Sequence, residues 1–393
     1  MDSKSAWQNV RMFKWFATFA EPFFWGPVLI LYLINQGGMS LGDIFVMEAI
    51  VVLGLGVAEI LTGSLADHIG RKKTIVLGRA LGIVTVVWFA LANSPFDIWM
   101  ANISWAIGHA LVSGADKALV YDSLKAVNKE KLFSKIWGGA MSRRLLLMAF
   151  ASLAAGLLYS VHPRLPLALS IPGIIVSFII TLKFVEPPRT KSYSAREQVQ
   201  LIWQGFSLVF TQKNVRWIVL FSAVVAVTLK AWFFTYNPYF ELVELDLFWY
   251  GVIFFILNII AAASSRFASS IEKYLGEYRS IVVVVLSLGL GILVMGFFPQ
   301  KIMISIITLS NVIRGFFVPF SSAMLNHHVP SLIRATVSSI ESSVERSVQF
   351  FVLGGLGWMT DAMPLPWCLM VLGGGALAFG FRHISQYNRI FRT

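Results

Sequence analysis

The sequence has little charge. Only 13% of its 393 residues are Asp, Glu, Lys or Arg, whereas 57% are hydrophobic. Because soluble domains carry about 25% charged residues, this chain has about half the charge that a soluble surface requires. A bilayer-spanning helix needs about 20 apolar residues, and such runs recur along almost the whole length. The composition therefore excludes a soluble globular protein and predicts an all-α polytopic membrane protein.

The sequence also lacks the residues that several kinds of site require. Its single cysteine, Cys368, excludes a disulfide within the chain. No ATP-binding loop, metal-ligand cluster or nucleophile triad is evident, so we expect neither an enzyme nor a bound cofactor or metal. The first apolar run has no small-residue cleavage site, which favours a retained span over a signal peptide.

Twelve apolar segments are long enough to span a bilayer, six on each side of a polar stretch. We therefore predict an N-terminal six-helix bundle at 1–186, a cytoplasmic linker at 187–213 and a C-terminal six-helix bundle at 214–393. In the linker, the helical spacing of apolar residues from Ala195 to Gln212 fits either an amphipathic helix on the membrane surface or a solvated segment. The predicted spans are 13–36, 44–62, 73–93, 98–120, 136–161, 165–185, 214–238, 247–268, 280–298, 301–326, 335–359 and 364–383.

Basic residues are concentrated on one side of these spans. If the N-terminus is cytoplasmic, the outer loops retain only Arg164 and Lys301 among the bases, which satisfies the positive-inside rule. Both termini are thus predicted to be cytoplasmic. The net charge of +12 then reflects topology and contact with anionic lipid, and we expect no nucleic-acid partner. Compact loops, a short linker and no external N-glycosylation sequon indicate the inner membrane of a prokaryote.

The loop between the second and third predicted spans, GSLADHIGRKKT, carries a cluster of charges. It resembles the loop signature of the major facilitator superfamily, G-x-L-a-D-x-x-G-R-K/R. Twelve spans in a 6+6 division with both ends inside extend this resemblance over essentially the whole chain. The resemblance implies two six-helix bundles around a central cavity and transport by alternating access. The matching residues are Gly63, Leu65, Ala66, Asp67, Gly70, Arg71 and Lys72.

The signature has a physical explanation. Gly63 allows two helices to approach closely, and Gly70 permits a sharp reversal of the chain. Arg71 and Lys72 hold the loop on the positive side of the membrane. The resemblance implies that Asp67 meets the positive N-terminal end of span eleven, near Arg334, and closes a cytoplasmic gate.

Charged side chains inside the predicted spans mark candidate sites, because each costs about 2.5–3.5 kcal/mol or more at the bilayer centre. In the first half, Glu21, Asp116 and either Arg143 or Arg144 form a candidate proton or ion cluster. Helical phase leaves the choice of arginine open, and the charges could equally serve only to neutralise one another. His109 is a candidate proton relay or a packing residue.

In the second half, Glu341 and Glu345 lie four residues apart on one helix face. Because close carboxylates repel, one of them can hold a proton, and we add both to the candidate proton cluster. Lys230 and Arg314 are the deepest bases, and a base without a fixed partner is a substrate-contact candidate. For Lys230, the alternative is snorkelling to the outer interface. The candidate substrate cavity comprises Glu21, His109, Lys230, Trp232, Tyr236, Asn311 and Arg314.

Aromatic residues are concentrated at the outer end of span seven. Trp232, Tyr236 and Tyr239 fit an interfacial belt, and they would also suit a stacking lid over an amphipathic substrate.

The resemblance implies a secondary active transporter. Two features of proton-coupled drug exporters are missing: Ala110 occupies the place of an arginine, and Met141–Val161 has no Gly-Pro motif. We predict proton-coupled export of a small organic compound, and the alternatives are proton- or cation-coupled uptake of an organic anion and lipid flipping. The expected partners are a small-molecule substrate, protons or another coupling ion, and membrane lipids. We expect a monomer.

Overall fold

The structure is a computed structural model that describes residues 1–187, 195–330 and 333–391, and all regular secondary structure in these ranges is helical. The all-α prediction is therefore confirmed. The helices are α1 Ser3–Thr18, α2 Leu29–Asn35, α3 Leu41–Ile69, α4 Arg71–Leu91, α5 Pro95–Val112, α6 Ala115–Lys125, α7 Phe133–Val161, α8 Leu165–Ala168, α9 Ile171–Leu182, α10 Ala195–Thr211, α11 Lys213–Phe234, α12 Tyr236–Leu242, α13 Leu247–Arg266, α14 Ala268–Leu275, α15 Glu277–Phe297, α16 Ile307–His328, α17 Arg334–Ala362 and α18 Leu365–Phe391.

Nine helical segments of the described ranges are long and apolar enough to cross a membrane. The three predicted spans that fail this test, 13–36, 98–120 and 335–359, all carry candidate site residues. The third forms one helix, α17, but its first half is too polar because it contains Glu341, Glu345 and Arg346. The other two are broken, so each of these predicted spans consists of two helices joined by irregular backbone.

The break in the first span has a clear cause. Helix α1 ends at Thr18 and α2 begins at Leu29. The intervening FAEPFFWGPV contains Pro22 and Pro27, which lack an N–H donor and disfavour helix in the preceding residue. Irregular backbone at membrane depth must find its hydrogen bonds elsewhere. Side chains of neighbouring helical segments supply them, as described for the candidate site below.

The break in the fourth span is at Ser113 and Gly114. Gly114 has a φ of +83°, a left-handed conformation that favours glycine. The amide of Ser113 still donates to His109 O at 2.8 Å, so α5 ends with a satisfied last turn. Helix α6 then begins at Ala115 and places Asp116 in its first turn. The positive end of the α6 dipole stabilises a carboxylate at that position.

The chain folds into two compact units. The first consists of Met1–Ser40, Ile50–Lys191 and Asp246–Ile256, and the second consists of Leu41–Ala49, Ser192–Leu245 and Leu257–Thr393. In the first unit, α1 packs against α6, α7 and α9. Buried residues that include Phe13, Phe16 and Leu119 form the core there.

In the second unit, α15 packs along α18 through small residues. A Cβ on Gly373 would meet Gly289 O at 2.8 Å, and a Cβ on Gly296 would meet Pro366 O at 2.7 Å. Such close backbone approach is how membrane helices gain packing energy. Helix α10 lies against α17, where a Cβ on Gly205 would come within 2.8 Å of Thr336. The linker segment after residue 194 is thus helical, whereas 188–194 lies outside the described residues.

Candidate functional site

The candidate site is a cavity of about 200 Å³ in the first unit. Its walls come from α1 and the break that follows it, and from α4, α5, α6 and α7. The two interruptions in the helices create this space, because α1 and α5 both end beside it. The lining residues are Phe16, Ala17, Ala20, Glu21, Arg79, His109, Val112, Ser113, Asp116, Lys117, Trp137, Met141 and Arg144.

Glu21 and Arg144 form an ion pair in this cavity. Glu21 Oε1 lies 3.5 Å from Arg144 Nη1, and each side chain retains about a quarter of its exposure, 25% and 28%. Arg143 is exposed and does not line the cavity. The structure therefore resolves the choice that helical phase left open, because it is Arg144 that faces Glu21.

Arg79 is a cavity residue that sequence reasoning missed. Its Nη1 donates to Ala20 O at 2.6 Å, a carbonyl freed by the end of α1. Its guanidinium carbon lies 5.1 Å from the ring centroid of Phe16, within cation–π range. Two signals were available in the sequence. Arg79 lies inside an apolar span, and Pro22 removes hydrogen bonds from the first span. On the other side of the break, Phe24 N–H donates to Ser170 Oγ at 3.3 Å.

Asp116 and Lys117 line the cavity from the first turn of α6. The amide of Lys117 donates to Asp116 Oδ1 at 2.6 Å. Lys117 Nζ lies 5.5 Å from the ring centroid of Trp137. His109 packs against Trp105 with ring centroids 5.1 Å apart in a tilted arrangement, and it also lines an adjoining cavity of about 30 Å³.

The charges of the cavity do not balance. Three cationic side chains, Arg79, Lys117 and Arg144, face two carboxylates. The Nε atoms of Arg79 and Arg144 are both buried and have no hydrogen-bond partner among the described residues. Buried donors without partners are uncommon in folded proteins. The cavity can therefore accept a ligand that brings hydrogen-bond acceptors or negative charge, with an apolar part against Phe16 and Trp137.

The loop signature is anchored within the first unit. Arg71 forms an ion pair with Asp122 and donates to Ala118 O at 2.8 Å. Glu186 accepts hydrogen bonds from the amides of Arg71 and Lys72, both at 2.8 Å, and so caps α4. Gly70 precedes them with a φ of +103°, the reversal that its position predicts. The surroundings of Gly63 and the Asp67 side chain lie outside the described residues, so the predicted gate contact stays a prediction.

Glu341 and Glu345 belong to the second unit, whereas Glu21, Asp116 and Arg144 belong to the first. Glu341 lies about one helical turn before Glu345 on α17, close enough for the two carboxylates to repel. Glu345 accepts from Gln349 Nε2 at 2.8 Å and is attracted by Lys230 and Arg346. The two carboxylates thus form a charged cluster of their own in the second unit.

Lys230 does have a fixed partner, and the contrary expectation is wrong. Its Nζ lies 2.6 Å from Glu48 Oε1. The partner escaped sequence reasoning because Glu48 is remote in the chain, in the segment Leu41–Ala49 that packs with the second unit. Arg314 Nη2 donates to Asn258 Oδ1 at 3.0 Å.

The aromatic belt expected at the end of span seven is also wrong. Trp232 and Tyr239 are fully buried and Tyr236 is 4% exposed, so these rings cannot face lipid headgroups. The Tyr236 hydroxyl is hydrogen-bonded to Ser310, and Asn311 Nδ2 donates to Ser310 Oγ at 3.1 Å. Tyr236 and Asn311, two of the predicted cavity residues, therefore lie together. Both are buried inside the packed second unit.

Comparison with known sequences points to one family. The family model described as Major Facilitator Superfamily matches residues 15–353. A protein from Bacillus subtilis (strain 168), described as uncharacterized MFS-type transporter YxaM, is 26% identical over 262 residues, which are 63% of each chain. Multidrug resistance protein MdtH from Photorhabdus laumondii is 30% identical over 111 residues, 28% of this chain and 27% of that protein. The matches thus span less than two thirds of either relative.

Solved structures show the same fold. The nucleoside transporter NupG (D323A mutant) superimposes with a TM-score of 0.80 at 14% identity, over 96% of this chain and 100% of that chain. A POT family transporter in complex with a thioalcohol-conjugated peptide gives a TM-score of 0.72 at 13% identity, over 99% and 97%. At such low identity these likenesses concern the fold alone.

Proposed function

The chain belongs to the Major Facilitator Superfamily, and we propose that it is a proton-coupled transporter that takes up a small organic anion. Membership makes it a multi-pass membrane transporter rather than an enzyme. The direction, the coupling ion and the substrate class are the proposal. We place both termini in the cytoplasm on the charge bias of the loops. We place the protein in the inner membrane of a prokaryote on its compact loops and short linker.

The observation that carries the proposal is the excess of cationic groups in the first-unit cavity. Arg79, Lys117 and Arg144 outnumber Glu21 and Asp116. The two buried Nε donors supply hydrogen bonds suited to a carboxylate or phosphate of the substrate. Phe16 and Trp137 provide apolar contact for the rest of the molecule. The substrate is therefore a small amphipathic anion.

The Glu21–Arg144 pair provides a route to proton coupling. While Glu21 is ionised, it holds the Arg144 guanidinium at 3.5 Å. When Glu21 takes up a proton, its charge is lost and Arg144 becomes available to the substrate anion. Proton and anion then assist each other's binding, and by reciprocity each raises the affinity of the other by the same factor. Such cooperation favours transport of both in the same direction.

Binding at two pH values tests this coupling. A panel of organic anions is screened by thermal shift on the purified protein, and the affinity of a hit is measured at pH 5.5 and pH 7.5. The anion should bind severalfold more tightly at the lower pH, and uptake of one proton limits the gain to about tenfold per pH unit. Glu21→Gln should abolish this pH dependence, whereas Arg143→Gln should retain it. Equal affinity of the wild type at both pH values contradicts the proposal.

Export is the second candidate, and the partial similarity to multidrug resistance protein MdtH favours it. An exporter that exchanges substrate for protons needs the two to compete, so its substrate would bind more weakly at low pH. Transport in proteoliposomes with an imposed proton gradient separates the candidates. Substrate that moves with the protons supports uptake, and substrate that moves against them supports export.

A further inference from the structure

The first turns of α11 and the last turns of α18 enclose a groove that the transport proposal does not use. Its volume, about 460 Å³, falls within the range of about 300–1,000 Å³ found for ligand sites. The groove belongs entirely to the second unit. It is lined by Lys213, Arg216, Trp217 and Leu220 of α11 and by Phe379, Arg382, His383, Gln386 and Ile390 of α18.

One end of the groove is cationic. Lys213, Arg216 and Arg382 are all exposed, and none of the described residues that line the groove is acidic. Arg216 Nη1 donates to Phe210 O at 3.1 Å, which fixes the guanidinium at the rim. A carboxylate near the floor, Glu277, already accepts a hydrogen bond from the Tyr387 hydroxyl at 2.8 Å. The cationic end therefore suits an anion from outside the chain.

The other end is apolar and its floor is rigid. Trp217 is 3% exposed, and its indole N–H donates to His383 O at 3.1 Å. Phe379 stacks on His383 with ring centroids 4.1 Å apart. Leu220 is seven residues from Lys213, about 10 Å along the helix. The lining thus changes from cationic to apolar over the length of a phospholipid headgroup and the start of its acyl chains.

We propose that this groove binds an anionic phospholipid, with the headgroup phosphate at Lys213, Arg216 and Arg382 and an acyl chain along Leu220 and Phe379. Both walls are helices long and apolar enough to cross a membrane, so an acyl chain is a fitting partner for the apolar end and its exposed Leu220. The basic residues place this end in the cytoplasmic leaflet, where anionic lipids attract clustered Lys and Arg. The site is independent of the direction and coupling of transport.

Lipid titration of the full-length protein in detergent tests the site. Thermal melting is followed while phosphatidylglycerol, phosphatidylcholine or glycerol 3-phosphate is added. Phosphatidylglycerol should raise the melting temperature at concentrations at which the other two do not. In Lys213→Gln/Arg382→Gln, the phosphatidylglycerol affinity should fall about 30-fold, at roughly fivefold per charge. Leu220→Gln leaves the charges intact and should also weaken lipid binding.

A matched control separates the groove from general attraction to basic protein. Arg266→Gln/Lys273→Gln removes the same charge from exposed residues of the same unit outside the groove. This variant should bind phosphatidylglycerol as the wild type does. An equal loss in the control overturns the proposal, and so does wild-type affinity in the groove variant. If glycerol 3-phosphate stabilises the protein as well as the intact lipid, the groove takes a soluble phosphate and the lipid assignment is wrong.

Discussion

Lys230 and Glu48 form an ion pair with 2.6 Å between Nζ and Oε1. Their side chains are 28% and 14% exposed, so removing one partner leaves a charge that water reaches poorly. Glu48→Gln should therefore lower the free energy of unfolding by about 3 kcal/mol, the lower end of the range for broken buried pairs. Adding Lys230→Met should recover most of the free energy of unfolding that Glu48→Gln loses. Unfolding of the wild type, the two single variants and the double variant measures the coupling, and additive losses would show that the pair contributes nothing.

Arg144 and Arg143 are adjacent, yet only Arg144 faces the cavity. Arg144→Gln should reduce proton-driven transport by at least tenfold, because the charge that Glu21 and the substrate share is removed. Arg143→Gln makes the same chemical change one residue away and should leave transport within about twofold of the wild type. Initial rates in proteoliposomes, normalised to inserted protein, provide the measurement. Equal effects of the two substitutions would contradict the assignment.

Substitution of Glu186, which caps α4, should lower the stability of the protein. Glu186→Ala removes both acceptors from the amides of Arg71 and Lys72 and should cost about 1–2 kcal/mol, the upper part of the range for lost N-caps. Glu186→Gln keeps one acceptor but loses the charge at the helix N-terminus, so its cost should be about half as large. Equilibrium unfolding in detergent gives both values. Glu130→Ala is the control, because Glu130 Oε2 has no hydrogen-bond partner among the described residues.

Glu272, in the loop helix α14 outside the membrane spans, predicts a pH effect. Burial, and then repulsion by Glu277, raises the pKa of Glu272 above its ordinary value of 4.5. The folded state then holds the proton more strongly than the unfolded state, so this residue lowers stability as the pH rises through and above 4.5. Glu272→Gln should raise the melting temperature at pH 7 and leave it unchanged at pH 4. Lys273→Gln, the exposed neighbour, should not produce this pattern, and a shift of equal size at both pH values would refute the explanation.

Local sequence patterns correctly predicted features that depend on residues close together in the chain, such as the positions of helices. Uninterrupted apolar runs predicted α4 and α11 to within a few residues, at 73–93 against Arg71–Leu91 and at 214–238 against Lys213–Phe234. In the candidate site, the free-energy cost of a charge inside the membrane identified Glu21, Asp116 and one of two arginines as candidates. These residues line one cavity.

The same patterns did not predict features that depend on how distant segments pack, such as hydrogen bonds and ion pairs between helices. The prolines at 22 and 27 were visible, but the apolarity of 13–36 outweighed them, because a hydropathy window does not count backbone hydrogen bonds. Arg79 was missed for the same reason, since its partner is a carbonyl that exists only once α1 has ended. The pairing of Lys230 with Glu48 joins helices 182 positions apart, 230 minus 48, and no local pattern encodes it.

The cap on α4 also has a consequence for biosynthesis. Glu186 follows Arg71 by 115 positions. At about 5–20 residues per second, the ribosome needs roughly 6 to 23 s to add that stretch. During this time α4 can already be in the membrane, while its first amides bind only water or lipid headgroups. The hydrogen bonds that complete the N-terminus of α4 are therefore among the last of the first unit to form.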